Sequence, residues 1–145
     1  MRILAQVAAT GRADALVIEC MALRPEYQDI SERMIIQATI GVITNVREDH
    51  LDVMGPTERD VALALCGSIP VNATLVTAER KYLPEIEVAC RQRGSRLVVV
   101  TAADAEAVPA SVMAAFTYFE HRENVALALK VAELAGVRPD QAFAG

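Results

Sequence analysis

The chain has 145 residues, enough for one domain of ordinary size with a real hydrophobic core. Apolar residues make up 53% of it and charged ones 23%, a balance that excludes a disordered segment. A net charge of -5 gives no general attraction to nucleic acid or anionic lipid, and no apolar run is long enough to cross a bilayer.

In chain order, Met1 to Thr10 has helical character, with Ile3, Leu4 and Val7 on one face and Gly11 placed to end it. The N-terminus lacks the layout of a signal peptide. Ala15-Leu-Val-Ile18 is a short continuous apolar run, the pattern of a strand covered on both faces. Asp29 or Ser31 is expected to cap a helix through Gln37, with Ile30, Met34 and Ile35 inward. Ile40 to Thr44 reads as the next buried strand.

A polar cluster follows: Asn45, Arg47, Glu48, Asp49, His50 and Asp52, closed by Gly55-Pro56-Thr57. Thr57 with Asp60 three residues on has the spacing of a capping box, leading into Val61 to Leu65. Ala73 to Thr77 is strand-like. Pro84 suits the first turn of a helix through Arg93, ended by Gly94. Arg96 to Thr101 supplies another strand. Pro109 is expected to open a short helix inside the alanine-rich stretch 102–115, whose pattern is otherwise ambiguous. Glu123 to Leu134 is strongly helical and stopped by Gly136, and Pro139 to Phe143 starts one more helix.

Strands alternating with helices predict an α/β domain, a mostly parallel sheet with helices on both faces. Cys20, Cys66 and Cys90 are odd in number and widely spaced, which suits a reducing compartment and buried thiols better than disulfides or zinc.

In open α/β sheets ligands bind at the carboxyl ends of strands, so the polar groups that follow the apolar runs are the candidate site. Glu19 follows Leu16-Val-Ile18. An isolated acid there is most often a cap or a surface charge, but in nucleotide-dependent enzymes an acid at this place commonly holds magnesium, a hard cation that prefers oxygen. His50 lies between Asp49 and Asp52, carboxylates able to orient a ligating imidazole or raise its pKa. Asn45 suits a loop-fixing role through bonds to backbone groups. Lys81, Arg91 and Arg93 read as solvated charges, and His121 to Asn124 as a solvated helix start. There is no G-x-x-x-x-G-K-[ST] phosphate loop, no G-x-G-x-x-G and no Gly-x-Ser-x-Gly.

The run Asn45-Val-x-Glu-Asp-His50-x-Asp52-Val-Met-Gly-Pro-Thr57 resembles the signature of the Mur ligase superfamily of ATP-dependent amide-forming ligases. Glu19-Cys-Met-Ala22 and Pro25-Glu-Tyr-Gln28 narrow the resemblance to its capsule-forming branch, the ligase subunits of poly-γ-glutamate synthases. Glu123-Asn-Val-Ala-Leu-Ala-Leu129 is similar to that family's Asn-containing helix start, so the likeness runs over essentially the whole chain.

The resemblance implies transfer of the γ-phosphate of ATP to a glutamate carboxylate, then attack of an amine on the acyl phosphate to form a γ-amide bond. It implies that Glu19 and His50 are catalytic magnesium ligands, that Asn124 lies near the adenine and that Asn45 belongs to the same nucleotide site. ATP and Mg2+ are the implied cofactors. Glutamate and the growing poly-γ-glutamate chain are the implied substrates, with membrane subunits of a polymer synthase as partners, a cytoplasmic location reached by the membrane only through them, and room for a homo-oligomer.

Two departures stand out. The family's helix-borne lysine, carboxylated in many members, has no counterpart in Val61 to Cys66, and the nearest downstream lysine is Lys81. The family's phosphate loop lies upstream of this segment and its closing domain downstream. Residues 1–145 are therefore expected to be a partial central ATP-binding domain that does not turn over ATP alone, with Met1 inside a helix and Gly145 just before the last domain. Another ligase of the superfamily, of the folylpolyglutamate or cyanophycin type, is argued against by Val53 to Thr57 and Pro25 to Gln28. The other rivals are a non-catalytic module that completes its site with another chain and a hydrolase built on Asp49, His50 and Asp52, for which the histidines are too few.

Overall fold

A computed structural model describes residues 2–143, with the side chains of residues 2–5 and 139 outside the description. Its centre is a three-stranded, wholly parallel sheet in the order β1 (Ile40–Ile43), β2 (Thr74–Thr77), β3 (Arg96–Val99). Leu75 sits opposite Gly41 and Leu97, and Val76 opposite Val42 and Val98, so successive side chains divide between the two faces. Ile43 and Leu75 pack with Ile69, Ile86 and Cys90 on one face. Val76 and Val100 pack with Val108, Val125 and Leu127 on the other. Helices thus cover both faces, as a parallel sheet requires.

The connections follow the local chemistry. The β1–β2 crossover carries α3 (Leu51–Met54) and α4 (Glu58–Leu65), followed by a 3-10 turn at Cys66–Ser68. The Thr57 hydroxyl accepts from the Asp60 N–H while the Asp60 carboxylate accepts from the Thr57 N–H, so the expected capping box is formed. Between β2 and β3 runs α5 (Leu83–Arg93), with Pro84 in its first turn. Gly94 closes it at φ 67°, where a Cβ would also stand 2.5 Å from the Asn72 side-chain oxygen. After β3 come α6 (Ala102–Glu106), α7 (Ala110–Met113, with Pro109 as N-cap), α8 (Arg122–Leu134) and α9 (Pro139–Ala142).

The N-terminal third departs from expectation. α1 spans Arg2–Thr10, but Val7 is exposed, and the inward face expected of Ile3 and Leu4 lies outside the described residues, as do Met1 and Gly145. Ala15 to Ile18 forms no strand: no neighbouring chain accepts or donates along it among the described residues, and Val17 is 95% exposed. An apolar run needs a ladder partner before its backbone polar groups can leave water, and here it has none.

The next helix starts early, as α2 (Pro25–Ile30) with Pro25 in the first turn, and continues as a π-helical turn over Ser31–Ile36. Ile30, Met34 and Ile35, expected inward, are exposed, while Gln28 and Glu32 are buried. The reason is the packing partner. Gln28 faces Gly67, which lets α2 approach so closely that a Cβ there would meet the Pro25 carbonyl at 3.1 Å and the Gln28 Cβ at 3.3 Å, while the Glu32 carboxylate accepts the Ala38 N–H at 2.8 Å.

Cys66 and Cys90 share the core beside β1 and β2, and Cys20 is exposed. Burial pushes the Cys66 thiol up to about 11 and raises that of Cys90 as well. At neutral pH a maleimide is therefore expected to label Cys20 at once, and Cys66 and Cys90 only on unfolding. Mass spectrometry of the native and urea-unfolded chain reads this directly, and fast native labelling of three thiols would contradict the buried placement.

Candidate nucleotide site

The carboxyl ends of β1 and β2 open onto a polar cleft of about 350 Å3. Thr44, Asn45 and Arg47 line it from the loop after β1, and Ala78 to Lys81 from the loop after β2. The start of α8 closes it with His121, Glu123 and Asn124. Asn45 and Asn124, remote in sequence, therefore share one wall-to-wall space. Its size falls in the range of small-ligand sites, and Arg47, Arg80 and Lys81 give it cationic side chains.

Asn124 is held in place. Its side-chain NH2 donates to Glu120 Oε1 at 2.8 Å, and the His121 N–H donates to the same oxygen at 2.8 Å. The Asn124 amide and then the His121 N–H lower the Glu120 pKa, so this brace is made by an ionised carboxylate. The sign follows: the brace is present above the unfolded pKa of glutamate and is lost as pH falls through the lowered one. Beyond Asn124 a larger, more apolar groove of about 920 Å3 continues between α7, α8 and α9, lined by Val112, Phe116, Leu129 and Phe143 among others.

Lys81 is exposed, as expected, but it is also paired. Its ammonium pairs with Glu58 Oε2 and lies 4.9 Å from the centre of the Tyr82 ring, and the Tyr82 hydroxyl donates to the same carboxylate at 2.9 Å. The Lys81 and Tyr82 bonds lower the Glu58 pKa, while the Glu58 bond raises that of Lys81. The group stays exposed, so the pair orients Lys81 along the cleft edge more than it stabilises the fold.

The two expected metal ligands lie outside this cleft. His50 precedes α3 in the left-handed conformation, φ 46°, with Nε2 3.5 Å from Asp49 Oδ1, and both side chains are exposed. Glu19 sits in the irregular segment before α2 and is in no ion pair among the described residues. No group of three or more His, Cys, Asp or Glu side chains converges to hold a metal among the described residues. Glu19 and His50 offer a carboxylate and an imidazole that no third protein donor joins among the described residues. They do not suit an all-protein cage.

Glu79 and Arg80 carried no functional expectation. The sequence signal for Glu79 is the one that singled out Glu19: an acid just beyond the carboxyl end of an apolar β run.

No protein-family model matches the chain. It is 43% identical over 138 residues to the capsule biosynthesis protein CapB of Bacillus anthracis, which covers 95% of this chain and 29% of that protein. It is 38% identical over 133 residues to the PGA synthase CapB of Bacillus subtilis (strain 168), covering 92% of this chain and 33% of that protein. A solved FPGS-AMPPCP complex superposes on 46% of the chain and 17% of its own length, with a TM-score of 0.43 and 22% identity. The chain is thus similar to a segment of the two CapB proteins and spans about a third of their length.

Proposed function

We infer that this CapB-like chain forms the nucleotide side of an ATP-dependent ligase that joins glutamate units by γ-amide bonds. The observation that carries the reading is the meeting of Asn45 and Asn124 in one cleft at the carboxyl ends of β1 and β2, beside Arg47, Arg80 and Lys81. The signature around His50 and the identity to capsule biosynthesis proteins support the same reading.

In this reading Asn45 and Asn124 orient the nucleotide, and the cationic side chains offset the charge of its phosphates. A glutamate γ-carboxylate oxygen attacks the γ-phosphorus and ADP leaves. The amine of a second glutamate unit then attacks the acyl carbon, phosphate leaves, the nitrogen loses a proton to solvent, and a γ-amide remains. Positioning and charge complementarity supply most of the acceleration in such transfers. Glu19 and His50 would hold magnesium, which when bound neutralises charge on the transferring phosphoryl group. Poly-γ-glutamate is the polymer this reading predicts, made with partner subunits at the membrane. No helix among the described residues is long and apolar enough to cross it.

The test is calorimetric titration of a non-hydrolysable ATP analogue with Mg2+ or Mn2+ into the chain and its Glu19→Gln and His50→Ala variants. Each variant is expected to weaken metal-dependent nucleotide binding about tenfold. Unchanged metal dependence in both would remove these residues from the site.

A further inference from the structure

We propose that Glu79 is a positioning residue that clamps the two loops of the cleft into one rigid wall. The proposal rests on the nucleotide reading of that cleft. Glu79 is only 6% exposed, yet it has no cationic partner among the described residues. Its carboxylate is instead surrounded by backbone donors. Oε2 accepts the Val46 N–H at 2.7 Å. Oε1 accepts the N–H groups of Arg80 at 2.9 Å, Lys81 at 2.7 Å and Tyr82 at 3.1 Å.

The two oxygens therefore do different jobs. Oε1 closes its own turn, the one that leads into α5 and sets the backbone of Arg80 and Lys81. Oε2 reaches across to the other loop and holds Val46, the residue between Asn45 and Arg47. A second buried link runs alongside: the Thr77 hydroxyl donates to the Ile43 carbonyl at 2.6 Å and accepts the Glu79 N–H at 3.0 Å. Carboxylate-to-backbone bonds are among the stronger hydrogen bonds, and burial strengthens them. Every cleft residue from the β1 and β2 loops lies within two positions of one end of this clamp.

Glu79→Gln separates the two jobs. A glutamine has one accepting oxygen and one donating NH2. The oxygen is best placed at the end that receives three N–H groups, which leaves the NH2 opposite the Val46 N–H, donor against donor. The turn into α5 is kept and the cross-loop bond is lost.

The experiment is amide hydrogen exchange together with titration of a non-hydrolysable ATP analogue, on the full chain and on Glu79→Gln. The expected result is at least about tenfold faster exchange at Val46 with Arg80 to Tyr82 still protected, and nucleotide affinity lower by about tenfold. Ile86→Val, a core change away from the cleft, is expected to lower thermal stability and leave affinity unchanged, which separates positioning from general loosening. Faster exchange at Val46 with unaltered affinity would overturn the proposal, and so would an equal loss of affinity in Ile86→Val. A native chain that binds no nucleotide, while Val46 still responds to Glu79→Gln, would instead refute the nucleotide reading on which the role in binding rests.

Discussion

Leu75→Ala is expected to cost about 3 kcal/mol of stability and lower the melting temperature by roughly 10 °C. Leu75 is fully buried at the centre of β2 and packs with Ile43, Ile69 and Ile86, so truncation leaves a cavity in the layer between the sheet and α4 and α5. The surroundings have little freedom to collapse. Gly41 on the neighbouring strand already sits so close to Pro70 that a Cβ there would meet its ring at 2.6 Å. Leu63→Ala, on the exposed side of α4, is the matched control and is expected to cost less than about 1 kcal/mol. Urea unfolding of the two variants decides the matter: equal midpoints would contradict the placement of the core.

The second large effect is expected at the cleft. Asn124→Ala should weaken binding of a non-hydrolysable ATP analogue by about ten- to a hundredfold while changing stability by less than about 1 kcal/mol. Asn124 spends one N–H on Glu120 and keeps its carbonyl oxygen and second N–H for a ligand. A site that hydrogen-bonds a heterocycle loses much when that partner is removed, because the opposing polar atoms are left unpaired. Asn45→Ala should act in the same direction from the other loop. Full retention of affinity in both variants, with the fold intact, would remove the cleft from nucleotide binding.

Much of the sheet was legible in the sequence because its signals are local. The runs at 40–44, 73–77 and 96–101 are apolar and β-branched, and each became a parallel strand within a residue or two of its expected limits. Thr57 with Asp60, Pro84 and Gly94 mark helix ends through their own backbone chemistry, and all three act as expected. Ala15 to Ile18 carries the same signal and still forms no strand, because a strand is a property of a pair and periodicity does not reveal the partner. The face of α2 was misread for a related reason. Gln28 turns inward because Gly67 opens space on its side, and Glu32 because its carboxylate takes the Ala38 N–H, contacts that no periodicity reveals.

The candidate site divides in the same way. Asn45 and Asn124 were singled out by a resemblance of motifs, and the fold brings them to one cleft. Glu19 and His50 came from the same resemblance and lie outside that cleft. Glu79 had no motif to announce it, since its four backbone partners come from two loops that meet only after the sheet has formed. The place after an apolar β run that it shares with Glu19 says nothing of burial or of the backbone donors that surround it.

The most direct measurement is a nuclear magnetic resonance titration of the 15N-labelled chain with a non-hydrolysable ATP analogue and Mg2+. Binding in the cleft predicts that the shifted amides cluster at Thr44 to Arg47, Ala78 to Lys81 and His121 to Asn124, with residues on α1 and α9 unmoved. Shifts confined to other elements, or none at millimolar nucleotide, would contradict the account.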